Sequence, residues 1–416
     1  MRYDHHTLPN GLTIVGEYNE TAQSVAIGFF TRTGARDETP EISGVSHFLE
    51  HMMFKGSERV PGDQVDLAFD SIGARYNAFT SEEVTVYYGA VLPEFQDRLI
   101  ALLAEILRPA LRQEDFDTEK QVILEEIAMY KDRPQYMVYQ LARETYHQGH
   151  PLGNRVLGTT ESITALTSEQ MRDYFRRRYA PNNMVVVLTG RYDWAAAVRQ
   201  IEEVCGPWEP GDNRRVLSEP AAVPLERMQP DPKRDRVYIC AVAPAPSAQS
   251  DARYAAEVLA EAVGGGEGSR LYWALVHPGI AESAAMQYSE EDGAGAYYIF
   301  AACNPARAKE VLDLLRQTLM IAQRDGLSDD EIARARRKLA SALVLRAETP
   351  MGRLTTVGFD WLYRRRIEPL NEAVDRLLAV SSADVDALLR ARPFDRLTLV
   401  ALGPLADAQV SMSNEQ

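Results

Sequence analysis

The sequence has little cysteine and no pattern in what it has: Cys205, Cys240 and Cys303 are odd in number, far apart and without a Cys-x-x-Cys pair. This excludes a disulfide framework and a thiolate zinc site, and leaves buried free thiols as the reading. Long hydrophobic runs are missing as well. The longest apolar stretch, Val86 to Leu107, is broken by Glu94, Asp97, Arg98 and Glu105 at helical spacing, which excludes a bilayer span of about 20 apolar residues. The opening Met1-Arg2-Tyr3-Asp4-His5-His6 runs directly into Leu12-Thr13-Ile14-Val15 with no apolar leader core and no small-residue cleavage site, so a cytoplasmic chain without a membrane anchor is expected. Excess positive charge is absent. A net charge of −15 disfavours nucleic acid, whose phosphates call for a basic face.

What remains is an average globular composition, 45% hydrophobic and 25% charged over 416 residues, enough for two to three domains with cores of their own. Residues 207–235 hold six prolines (Pro207, Pro210, Pro220, Pro224, Pro230, Pro232) among charges and show no hydrophobic period, which marks a linker between domains at 1–206 and 236–416. The two flanks repeat one another. Tyr87-Tyr88-Gly89-Ala90-Val91 reads as a strand followed by an amphipathic helix carrying Leu99, Ile100, Leu103 and Ile106; Tyr297-Tyr298-Ile299-Phe300-Ala301 is followed in the same way by Val311, Leu312, Leu315 and Leu319. Long helices then come at Asp115–Lys131 and Asp329–Ala347, the latter opened by a Ser328/Glu331 capping box. The opening strands, Val25 to Phe30 and Val237 to Val242, correspond too. The expected fold is α+β: two homologous domains, each a mainly antiparallel sheet with helices packed on one face.

His47-Phe48-Leu49-Glu50-His51 lies where a helix follows the first of these strands. Residues at i and i+4 project from one helix face about 6 Å apart, so both imidazoles can reach one tetrahedral zinc with Glu50 beside them. The same spacing also arises where two histidines merely cap a surface helix. A catalytic metal needs a third protein ligand and an open position. Glu119 and Glu126 supply candidates, two turns apart on one face of the later helix: Glu126 as ligand, Glu119 as a supporting carboxylate that accepts a hydrogen bond from a ligand. Glu125 competes with Glu126 but points about 100° away on an ideal helix.

The H-x-x-E-H inverted-zincin motif, the glutamates beyond it, and the stretches Leu8-Pro9-Asn10-Gly11-Leu12, Phe54-Lys55-Gly56-Ser57, Asn77-Ala78-Phe79-Thr80 and His150-Pro151-Leu152-Gly153 together resemble the pitrilysin/insulinase (M16) metallopeptidases. Among these the chain is similar to short members such as the beta subunit of the mitochondrial processing peptidase. The resemblance runs through both halves. It implies a zinc metalloendopeptidase subunit acting on unfolded peptides or oligopeptides in an enclosed chamber. His47, His51 and Glu126 would bind one zinc ion per chain, Glu50 would be the general base and Glu119 its supporting carboxylate. Asn77, Ala78, Phe79 and Thr80 would form the strand edge along which a substrate pairs.

The sequence also departs from that pattern. Ala335 and Ala342 stand where the second half would repeat Glu119 and Glu126, so one metal site per chain is expected. After Ser269-Arg270-Leu271 the family's self-sufficient members carry an Arg and a Tyr that reach the substrate; this chain continues Val276-His277-Pro278-Gly279-Ile280-Ala281-Glu282, in which the Arg is missing and Glu282 occupies the Tyr place. The resemblance therefore implies a heterodimer, ahead of a homodimer, with a homologous subunit that lacks H-x-x-E-H and supplies Arg and Tyr in trans; a chain acting alone with weaker catalysis is the other reading. A zinc-binding scaffold subunit, like members that sit in respiratory complexes, is the non-enzymatic alternative. His5, His6, His147, His150 and His277 read as surface or loop residues.

Overall fold

Val25–Thr31 and Met184–Gly190 are buried along their whole length, so the strands they form are covered on both faces. The structure, a computed structural model, describes residues 1–218, 220 and 223–405. In the first of two units the strands are β1 (Arg2–Thr7), β2 (Thr13–Tyr18), β3 (Val25–Thr31), β4 (Arg75–Thr80), β5 (Thr85–Val91) and β6 (Met184–Gly190), in the order β1-β2-β6-β3-β5-β4. Only the β2–β6 pairing is parallel. The second unit holds β7 (Glu226–Pro230), β8 (Val237–Pro244), β9 (Ser283–Glu291), β10 (Ala294–Cys303) and β11 (Thr398–Gly403), ordered β7-β11-β8-β10-β9, again with a single parallel pair, β7–β11. The shared order β2-β6-β3-β5-β4 and β7-β11-β8-β10-β9 is the repeat seen in the sequence, and both sheets are mainly antiparallel.

Side chains alternate as a pleated strand requires. On β8, Val237, Ile239, Ala241 and Ala243 enter one core with the helices Arg253–Gly264 and Ala308–Asp325. Cys240 and Val242 point to the other face, where Val138, Leu141, Ala142 and Tyr146 of the helix Pro134–Tyr146 meet them. The first unit does the same: Leu354, Val357 and Leu362 of the helix Pro350–Arg364 pack on Val15, Phe30, Val86 and Val187. Arg353 of that helix is buried and forks onto the Glu17 carboxylate on β2, its Nε at 2.7 Å and its Nη2 at 2.5 Å, a desolvated pair that ties helix to sheet. Each sheet thus carries a helix on the face opposite its main helical layer.

These two helices correct the expected boundaries. One unit comprises Met1–Met129, Asn154–Val216 and Leu345–Glu368, the other Tyr130–Gly153, Leu217–Val344 and the residues from Pro369 on. The cut is discontinuous because helix periodicity marks an apolar stripe but not the sheet that receives it. Nor is 207–235 free of regular structure, since β7 lies within it and pairs with β11. The three cysteines are buried and free. Among the described residues no helix is long and apolar enough to cross a membrane.

Candidate metal centre

The helix Val45–Met53 follows β3, and Val45, Phe48, Leu49, Met52 and Met53 bury its apolar side. That leaves His47, Glu50 and His51 along the remaining face. Facing them is the helix Gln113–Lys131, in which Glu119 is buried along with Phe116, Ile123 and Ile127, while Glu126 is half-buried. Glu125 is exposed and takes no part.

His47 Nε2 and His51 Nε2 stand 3.7 Å and 3.6 Å from Glu126 Oε2. One ligand atom from each of the three residues lies within 4.8 Å of the others, and among the described residues this is the one such grouping of three or more His, Cys, Asp or Glu side chains. The Glu119 Oε1 carboxylate oxygen accepts a hydrogen bond from His51 Nδ1–H at 2.8 Å, which fixes that tautomer and leaves the Nε2 lone pair facing Glu126. Lys55 Nζ holds the other Glu119 oxygen at 2.5 Å. Glu50 Oε2 accepts a hydrogen bond from the Thr80 hydroxyl at 2.6 Å, at the end of β4, the edge strand of its sheet.

The electrostatics match a cation site. Burial, and then the neighbouring His51, press the His47 imidazole down to about 3, so it is neutral and able to ligate. Burial lowers His51 too, but its bond to Glu119 and the charges of Glu126, Glu119 and Glu50 outweigh that and raise it. Burial raises Glu50, the Thr80 bond only partly offsetting it. For Glu119 burial is again the largest influence, yet His51 and Lys55 together bring its carboxyl below the ordinary value. Two imidazole nitrogens and a carboxylate oxygen converge, a donor set that fits a divalent ion of zinc's preference for nitrogen and oxygen.

Of the residues expected at this site, His47, His51, Glu126, Glu50 and Glu119 come together. Asn77, Ala78 and Phe79 lie on the β4 edge, while the Thr80 side chain is engaged with Glu50. Lys55 was missed: it lies in the turn beyond the helix, which ends at Met53, so helical spacing does not point to it. Glu38, which accepts two backbone N–H groups at the start of this helix, was missed as well. Of the histidines expected at the surface, His147 is instead buried at the end of the helix Pro134–Tyr146, where helical packing draws it inward. The helix Asp329–Ala347 is 19 residues long, as Gln113–Lys131 is, and Ala335 and Ala342 hold in it the seventh and fourteenth positions that Glu119 and Glu126 hold in the other. Glu282 is paired with Arg236.

Comparison with known proteins gives two family matches: residues 13–160 to "Insulinase (Peptidase family M16)" and residues 165–339 to "Peptidase M16 inactive domain". The chain is 32% identical to an uncharacterized zinc protease of Streptomyces coelicolor, over 97% of this chain and 90% of that one. It is 29% identical to an uncharacterized zinc protease, YmxG, of Bacillus subtilis, over 96% of this chain and 98% of that one. A solved protease from Helicobacter pylori superposes with a TM-score of 0.88 at 19% identity, covering 97% of this chain and 99% of that one, and so shares the fold.

Proposed function

The chain belongs to the insulinase, or M16, peptidase family, and from that premise we propose that it is a zinc metalloendopeptidase subunit that hydrolyses unfolded peptides. The observation that carries this is the convergence of His47 Nε2, His51 Nε2 and Glu126 Oε2 with Glu50 on the same helix face. The names of the relatives support zinc as the ion that His47, His51 and Glu126 would hold. Bound there, zinc would supply Lewis acidity, lowering the pKa of a water and polarising the scissile carbonyl.

The chain's own residues do the rest. Glu50 is the general base: its carboxylate takes the proton of the attacking water and delivers it to the leaving amine. Burial raises its carboxyl toward the range in which a base is effective near neutral pH. Thr80 holds one Glu50 oxygen, leaving the other to handle the proton. Glu119 keeps the His51 ring in the tautomer that ligates, and Lys55 offsets the Glu119 charge. The free edge of β4 at Asn77–Phe79 would pair with an extended substrate, whose main-chain groups it can meet whatever the side chains.

The Arg of the family's self-sufficient members is missing here, and Glu282, at the place of their Tyr, offers no donor for the oxyanion. The proposal therefore includes a homologous partner subunit that supplies these in trans. The test is cleavage of a quenched unfolded peptide by the zinc-loaded chain alone and mixed with a homologous subunit that lacks H-x-x-E-H. Cleavage in the mixture only is the expected result. Cleavage by the chain alone would remove the partner from the account, and none in either would favour a zinc-binding scaffold.

A further inference from the structure

The helix Val45–Met53 starts without a side chain of its own to cap it. Its N-cap, Gly44, sits at φ 92°, ψ 0°, with the Leu157 carbonyl oxygen 2.7 Å and Gly158 Cα 3.0 Å from where a Cβ would be. The first N–H groups of a helix have no acceptor within it, and leaving them buried and unmet is costly. Here a carboxylate from six residues upstream meets two of them. Glu38 Oε2 accepts the Gly44 N–H and Glu38 Oε1 the Ser46 N–H, each at 2.7 Å.

Glu38 is itself held. It is only 6% exposed, its N–H donates to the Ala35 carbonyl at 3.2 Å, and its carbonyl accepts from Asn154 Nδ2 at 3.2 Å. Ser46 is gripped a second time through its hydroxyl, 2.7 Å from the Tyr174 hydroxyl, which in turn lies 2.8 Å from the Thr33 hydroxyl. The residue immediately before His47 is thus pinned by both backbone and side chain.

We propose that Glu38 is a positioning residue of the metal centre: its two-oxygen hold on Gly44 and Ser46 sets the height and rotation of the helix's first turn, and so aims His47 at Glu126. The inference rests on the zinc peptidase reading above. A nine-residue helix has little stability of its own, so its placement comes from what it is anchored to. Metal coordination tolerates errors of only about 0.2 Å in ligand distance, far less than a helix packing contact does. His47 occupies the third helical position, inside the turn that Glu38 holds, whereas Phe48 and Leu49 secure only the apolar side. Without Glu38 the helix can still pack, but the ring that must ligate loses its fixed starting point.

Zinc affinity, measured on the full chain by competition with a chromophoric chelator, separates positioning from plain stability. Glu38→Gln is nearly isosteric but offers only one acceptor and sets an NH₂ against the other N–H; Glu38→Ala offers none. Gly358→Ala, a packing change on the helix Pro350–Arg364, serves as a control that lowers the melting temperature in EDTA without touching the metal helix. The expected result is a tenfold or greater loss of zinc affinity in both Glu38 variants, with Gly358→Ala binding as the wild type does at an equal or lower melting temperature. Should Glu38→Ala fail to fold, Glu38→Gln decides alone. If the wild type takes up zinc and Glu38→Gln binds it equally well, or loses no more than Gly358→Ala, the positioning role is refuted while the peptidase reading stands. A wild type that takes up no zinc refutes both.

Discussion

Replacing Glu119 with Ala removes the acceptor 2.8 Å from His51 Nδ1 and the counter-charge 2.5 Å from Lys55 Nζ, at a side chain only 5% exposed. Neither loss touches the ion directly. The first frees His51 to adopt the tautomer that puts a proton on Nε2, the atom facing Glu126. The second leaves an unpaired ammonium close to a cation site. Partners of ligating histidines are typically worth about 10–100-fold in metal affinity, or about 1.4–2.7 kcal/mol. Were Glu119 instead no more than the partner of a half-exposed lysine, its removal would cost about 0–1 kcal/mol of stability and leave zinc binding alone. The two cases differ by an order of magnitude in the zinc dissociation constant, which chelator competition at neutral pH resolves once circular dichroism has established equal folding. Glu119→Gln, whose amide oxygen can still accept from Nδ1–H, is expected to lose less than Glu119→Ala. A Glu119→Ala chain that binds zinc within about twofold of the wild type would refute the assignment of Glu119 as the residue that orients His51.

Glu50→Gln should keep zinc affinity near the wild-type value and lower peptide hydrolysis by about 10²–10⁴-fold; loss of the metal in that variant would make Glu50 a ligand rather than a base. In Gly358→Ala the added Cβ would lie 2.3–2.7 Å from three ring atoms of the fully buried Phe30. Overpacking costs about 1–3 kcal/mol against a helix-propensity gain of about 1 kcal/mol, so chemical denaturation should show net destabilisation, and a stabilised variant would contradict the packing described. Burial pushes the Glu38 carboxyl up to about 7 from its ordinary 4.5, the N–H groups of Ser46 and Gly44 restraining the rise. Between those two values the folded chain binds more protons than the unfolded one. Glu38's own contribution to the stability of the zinc-free chain should therefore fall as pH rises across that window, by an amount on the order of 3 kcal/mol in total, and level off above it. The stability difference between wild type and Glu38→Gln in EDTA should trace this slope; a pH-independent difference would show that Glu38 does not titrate there.

The metal helix was legible because its chemistry is local. His47, Glu50 and His51 need only the 3.6-residue period to be seen on one face, and Glu119 and Glu126 need only the seven-residue step along the next long helix. The duplicated sheet could be read for a similar reason, since strands buried on both faces give the same apolar runs in each half. What could not be read depends on partners distant in sequence. Glu38 serves backbone N–H groups, which leave no trace in residue identity. The helices Pro134–Tyr146 and Pro350–Arg364 show an apolar stripe but not which sheet it covers. The strand β7, half exposed at a sheet edge and rich in polar residues, carries no alternation and owes its existence to β11, far along the chain. Lys55, in the turn beyond Met53, likewise meets Glu119 only through the fold.

The most direct test of the central claim is hydrolysis of a quenched unfolded peptide by the EDTA-stripped chain, mixed with a homologous subunit that lacks H-x-x-E-H, as zinc is returned in measured amounts. The account predicts no cleavage without metal and a rise that levels off at one zinc per chain, absent in His51→Ala. Cleavage that survives EDTA, or that persists in His51→Ala, would contradict it.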